Sequence, residues 1–284
     1  MSDTADALAR TVLRATGDEA VITRDALVPG AFELSIGGSP QSHVDLGDPT
    51  NLFYDYVRRI GTVIDRFRMP GAPVTAIHLG AGALTVPRYV QATRPGSVQH
   101  VVELAEDLVP FVREALPLPS GTVLHVHPGD AARTLGTLPA GHADLVVSDL
   151  YRGTTTPPHL VTRGFFASVA ALLDERGLLV VNVADDAGLP ALRAHLAVLS
   201  PLFAELLVLG PSSVVTDARA GNAVVVAAGA HDGGRGGAAG AGRGTGAGRG
   251  SGGDLAALAG ELRLAGPHPA AVVHSNDPQF SALR

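Results

Sequence analysis

The chain has 284 residues, a formal net charge of −6 and no cysteine. That composition excludes disulfides, thiolate metal sites and a cysteine nucleophile, and argues against a nucleic-acid footprint, which needs a basic face. The basic side chains other than histidine are all arginine, so a P-loop lysine and a lysine Schiff base are excluded as well.

An apolar fraction of 46% is ample for one large domain, or one large and one small. Residues 4–15 read as a short helix. Three extended segments follow, 20–24, 31–36 and 41–44, separated by the turn signals Val28-Pro29-Gly30 and Gly37-Gly38-Ser39-Pro40. They suggest a small antiparallel sheet. Asp48-Pro49-Thr50-Asn51 then opens a helix with Phe53, Val57, Ile60 and Ile64 on one face.

From about residue 72 short apolar runs alternate with helical ones. Strands are expected at 74–79, 98–104, 123–127, 144–149 and 178–183, and helices at 86–92, 108–116, 131–138, 165–173 and 189–199. This rhythm implies a parallel sheet buried on both faces. Two β-rich runs, 204–209 and 223–228, end it like a hairpin, so the last strand is expected to be antiparallel. The pattern is α/β: a Rossmann-like, mostly parallel sheet preceded by a small N-terminal β-domain. The expected divisions are 1–60 (helix, β-domain and linking helix), 61–228 (nucleoside-binding domain), 229–253 (a Gly-rich disordered linker) and 254–284 (a tail with one short helix at 255–264). No leader pattern opens the chain and no apolar run approaches the ~20 residues of a membrane span, so a cytoplasmic location without membrane contact is expected.

Chemistry is concentrated at strand ends. Leu79-Gly80-Ala81-Gly82 forms a turn that lets a ligand approach the backbone closely. About 20 residues on, Glu103 ends the next strand, the position from which an acid takes the hydroxyls of a ribose. Asp130, before Ala131, is either a helix N-cap or an acceptor for an adenine amine. Asp149 ends the fourth strand and is the best catalytic or orienting carboxylate. Asn182 and Asp185 end the fifth and are expected at the same mouth. His43 is placed to overhang it, and His78 reads as a strand residue. His125 and His127 make at most half of a metal site, with no third or fourth ligand in view, so no metal is expected.

Together, Leu79-Gly80-Ala81-Gly82, Val102-Glu103-Leu104, Gly129-Asp130-Ala131 and Asp144-Leu145-Val146-Val147-Ser148-Asp149 resemble the spermidine synthase (polyamine aminopropyltransferase) family, over roughly residues 20–228. The resemblance implies an N-terminal β-domain before a class I S-adenosylmethionine methyltransferase-type domain. It also implies aminopropyl transfer from decarboxylated S-adenosylmethionine to a small-molecule amine, and a homodimer as the simplest assembly. Gly80, Gly82, Glu103, Asp130 and Ala131 would hold the nucleoside. Gln41 and Tyr54 would lie along the substrate channel, and Asp149 would orient or deprotonate the amine. Three places depart from the family, one being Tyr54-Asp55-Tyr56 where the family's helix has Tyr-His-Glu. Ala83 stands where an acid usually meets the cofactor's amine, and Arg152 where a second aspartate stands. Arg88 or Arg152 suits the carboxylate of intact S-adenosylmethionine. The alternatives are therefore an S-adenosylmethionine-dependent methyltransferase on the same scaffold and a non-catalytic adenosine-binding homologue.

Overall fold

Two sheets organise the chain in the computed structural model, which describes residues 7–230 and 255–284. The first is antiparallel and pairs in sequence order: β1 (Ala7–Val12), β2 (Glu19–Arg24), β3 (Ala31–Ile36) and β4 (Ser39–Asp45). Period-two spacing places Ala20 and Ile22 of β2 beside Leu34 of β3 in a shared core. Residues 7–12 are thus a strand and not the expected helix. Alanine and leucine favour a helix locally, but the open edge of β2 pairs with this segment, and its half-buried and exposed residues alternate. Residues 1–6 lie outside the described residues.

Helix α1 (Asp55–Arg66) begins later than Asp48 suggested. Asp45 accepts from the amides of Gly47 and Asp48, and Asp48 from that of Thr50, so these carboxylates hold a turn instead of starting a helix.

The second sheet is built from β5 (Thr75–Leu79), β6 (Val98–Glu103), β7 (Val123–Pro128), β8 (Ala143–Ser148), β9 (Leu173–Asp185), β10 (Phe203–Pro211), β11 (Gly221–Ala230) and β12 (Ala270–His274). Its order is β12-β10-β11-β9-β8-β5-β6-β7. Pairing is parallel from β7 to β9; β11 is antiparallel, as the hairpin-like ending predicted, and inserts between β9 and β10, which it did not predict. β12 was not expected. It pairs antiparallel with the outer edge of β10, where the sequence suggested a loose end.

Helices α2 (Thr85–Thr93), α3 (Leu108–Ala115), α4 (Ala131–Thr134), α5 (Arg163–Leu172) and α6 (Pro190–Leu199) connect the parallel strands. The helix expected at 131–138 is one α-turn continued by a 3-10 turn, Leu135–Thr137. A short α7 (Ser212–Val215) lies between β10 and β11, and α8 (Leu255–Ala265) and α9 (Phe280–Leu283) follow. Of the glycine-rich segment, Gly229 and Ala230 are the end of β11, and residues 231–254 lie outside the described residues. No described helix is long and apolar enough to cross a membrane.

Apolar side chains cover the sheet on both faces. One core joins α5, α6 and α9 around Phe166 and Leu192, and the other joins α1 and α8 around Ile60 and Val180. A third core joins α3, Val101 and the N-terminal sheet, with Ala81, Ala83 and Leu84 of the glycine loop inside it. The N-terminal sheet therefore sits on the loop that leaves β5.

His78, in β5, is buried, and its Nε2 shares a 2.8 Å hydrogen bond with Gln99 Oε1. Desolvation holds its imidazole down to about 4. The unfolded chain takes up this proton first, so the contribution is complete above the free-histidine pKa and is lost as pH falls. The expected loss from this group is about 2 kcal/mol by about pH 5 and about 3 kcal/mol by about pH 4. Urea titrations across that range should show the decline in the parent protein and a flatter curve in His78→Gln; equal slopes would exclude His78 as its source.

Candidate functional site

β5 lies between β8 and β6, and the connections leave its two sides in opposite directions, the arrangement that opens a crevice at the strand ends. Leaving β5, the chain turns through Gly80 at φ +93° and Gly82 at φ +48°. A Cβ on Gly80 would collide with the backbone oxygen of Asp149, and one on Gly82 with Ser42 Oγ. The two glycines answer to different neighbours: the first to the adjacent strand end, the second to the N-terminal sheet. Ser42 Oγ accepts from the Ala83 amide at 3.1 Å, and Thr85 Oγ1 donates to the His43 carbonyl at 3.0 Å, which locks the sheet onto the loop.

The turn opens into a cavity of about 910 Å³. Gly80, Gly82, Glu103, Asp130, Ala131, Asp149, Gln41, Tyr54 and Arg152 all line it, so these expected residues meet in one place. Glu103 accepts from the amides of Ala81 and Ala105, each at 2.9 Å. Burial holds its carboxyl above the ordinary range, and these amides pull it back. Asp130 caps α4: Oδ1 accepts from the Ala132 amide at 3.0 Å, while Oδ2 lies 2.8 Å from His159 Nε2. Asp149 Oδ1 accepts from Asn182 Nδ2 at 2.8 Å and Oδ2 from the Tyr56 hydroxyl at 3.4 Å. It lies deep in the protein yet keeps part of its surface on the cavity, and desolvation raises its pKa. The Tyr54 hydroxyl is buried without a hydrogen-bond partner, and burial with the nearby Glu33 charge pushes it up to about 12.

Several expectations change. Asn182 stands behind Asp149 and does not line the cavity; its Oδ1 accepts from Asn222 Nδ2 at 3.0 Å. Asp185 faces away, accepting from the amides of Ala191 and Leu192 at the start of α6. Arg88 is 1% exposed, and its guanidinium holds the carbonyls of Ala83, Leu116 and Pro117, which leaves it no reach to a ligand. Ala83 points into the core. His43 and His78 both line the cavity, and His43 Nε2 lies 2.8 Å from Asp25 Oδ2. His127 Nε2 lies 2.9 Å from His100 Nδ1, away from the cavity, and no group of three or more potential ligands among the described residues could hold a metal.

Asn222, Ser42 and His159 were not anticipated, nor was the contact of Tyr56 with Asp149. Tyr56 stands two residues past Tyr54, which hints at it. The others reach the site through strand pairing or a loop and carry no local signal.

No family model and no curated protein sequence matches the chain. Solved structures share its fold. A probable spermidine synthase from Corynebacterium glutamicum ATCC 13032 superposes with a TM-score of 0.73 at 24% identity, over 95% of this chain and 91% of that one. A spermidine synthase in complex with the transition state analogue AdoDATO gives 0.58 at 13% identity, over 78% and 73% of the two chains. The spermidine synthase from Thermotoga maritima gives 0.56 at 13%, over 78% and 72%. In architecture the chain is spermidine-synthase-like.

Gly80→Ala should destabilise the fold by at least about 2 kcal/mol, because a positive φ and a backbone oxygen both oppose the added methyl. A melting temperature equal to that of the parent would show that the two strand ends are not in contact.

Proposed function

We propose that this protein is a transferase that takes an S-adenosyl-type sulfonium nucleoside as cosubstrate and passes its aminopropyl group to a small-molecule amine. One observation carries the reading: Glu103, Asp130 and Asp149, from the ends of separate strands, line a single cavity with the Gly80–Gly82 turn. The fold shared with a spermidine synthase bound to a transition state analogue supports it.

The carboxylates have capacity to spare. An ionised carboxylate offers about four acceptor positions. Glu103 uses two on backbone amides, which leaves room for the two hydroxyls of a ribose. Asp130 keeps a lone pair for an exocyclic amine beside Ala131. At Asp149 the acceptor's ammonium is held by charge and gives up its proton to the carboxylate or to water. The freed nitrogen lone pair then attacks the carbon next to the sulfonium. The C–S bond breaks with its electron pair going to sulfur, and methylthioadenosine leaves as a neutral thioether. Much of the rate comes from holding nitrogen, carbon and sulfur in line.

A second reading, methyl transfer from intact S-adenosylmethionine, is favoured by Ala83, which is 1% exposed and offers no acid to an aminopropyl amine.

Calorimetry with methylthioadenosine tests the nucleoside site, and product analysis separates the chemistries. Methylthioadenosine formed from decarboxylated S-adenosylmethionine and a diamine supports the first reading; S-adenosylhomocysteine formed from intact S-adenosylmethionine supports the second. Binding without either product would make the protein a nucleoside binder. Glu103→Gln should weaken methylthioadenosine binding by about tenfold or more. Asp149→Asn should leave that affinity intact and lower turnover by about 100-fold or more. Because burial raises the Asp149 pKa, the acid limb of the rate profile should lie above that of free aspartate and vanish in the variant.

A further inference from the structure

Arg152 brings one positive charge into a cavity otherwise lined by acids, a charge that repels a ligand carrying only amines. Asp18, Glu103, Asp130 and Asp149 line the cavity, and Arg152 is the one arginine among its described lining residues. None of those acids neutralises it. Glu103 is held by backbone amides, Asp130 by His159 and the Ala132 amide, and Asp149 by Asn182 and Tyr56. Asp18 makes no ion pair either, and Arg152 makes no side-chain hydrogen bond or ion pair among the described residues.

The backbone of Arg152 is nevertheless fixed. Its amide donates to the Thr155 carbonyl at 2.9 Å, and the Thr155 amide donates back at 3.4 Å, an isolated antiparallel bridge. The guanidinium thus starts from a set position three residues beyond Asp149, a span of at most about 11 Å between their Cα atoms. A carboxylate that can hold an ammonium and a guanidinium that can fork onto a carboxylate share one loop of one cavity.

We propose that Arg152 selects a ligand bearing a carboxylate as well as an amine, an aminocarboxylate and not a diamine. Two sources have this chemistry: the methionine end of an intact sulfonium cosubstrate, and an amino acid acting as acceptor. The proposal rests on the nucleoside-transferase reading and narrows its ligand.

Titration calorimetry on the full chain tests it with two pairs of probes that differ in a carboxylate. The first pair is S-adenosylmethionine against its decarboxylated form. The second, measured with methylthioadenosine saturating, is 4-aminobutyrate against 1,4-diaminobutane. The parent protein should bind the carboxylate member of at least one pair tenfold or more tightly, and the pair that discriminates names the source. Arg152→Gln should abolish the preference and Arg152→Asp should reverse it, with methylthioadenosine affinity unchanged in both. A lack of preference in both pairs, or one that persists unchanged in the two variants, would overturn the proposal and leave the nucleoside site standing. Failure of the parent to bind methylthioadenosine would instead remove the reading beneath it.

Discussion

The contact between the ends of β5 and β8 is the constraint from which the site follows. The Asp149 amide donates to the Leu79 carbonyl at 2.9 Å, and the oxygen of Asp149 lies where a side chain on Gly80 would have to go. The same stitching continues outward. Gly80 donates to the Val102 carbonyl at 2.9 Å, and Gly129 to the Glu103 carbonyl at 2.8 Å. Each strand tip is tied to its neighbour before the chain turns away. Four loops from distant parts of the sequence are therefore held on one rim by backbone geometry, and the side chains they carry need no mutual contacts to converge.

That scaffold lets the cavity hold its acids by hydrogen bonds without an ion-pair partner at Glu103 or Asp149. A buried carboxylate is costly unless hydrogen-bonded. Here the donors for Glu103 and Asp149 are backbone amides, an asparagine and a tyrosine, all neutral groups. Such donors fix the direction of each carboxylate without placing a positive charge against it. Asp130 differs in that its second oxygen lies against the imidazole of His159. The buried arginines show the opposite use of charge. Arg88 and Arg94 surround themselves with backbone carbonyls and act as struts, Arg94 gathering those of Ile64, Phe67, Met69 and Ala72.

The parallel strands were legible because short apolar runs separated by turn residues have few other ways to be buried. Gly80, Glu103, Asp130 and Asp149 were legible because strand ends are where an α/β sheet presents its ligand-binding groups. The first strand was misread as a helix because Ala7–Val12 carries helix-favouring residues, and only its partner β2 decides otherwise. β12 was missed because five residues between proline-bearing turns give too short a pattern; its place comes from the free edge of β10. Arg88 was misassigned because a charged residue on a helix reads as exposed, and the three carbonyls that enclose it are contributed by two separate loops. The partners of Asp149 are long-range, and spacing alone does not show them.

The file of amides behind Asp149 gives the far end of the chain a say in the chemistry. Asn222, on the strand inserted between β9 and β10, donates to Asn182, which donates to Asp149. A polypeptide that stopped before that strand would still contain the Gly80–Gly82 turn, Glu103 and Asp130, but the amide steering the Asp149 carboxylate would lack its own support. The glycine turn with its first two acids and the orientation of Asp149 are thus completed at different points in synthesis, the second only after β11 has entered the sheet.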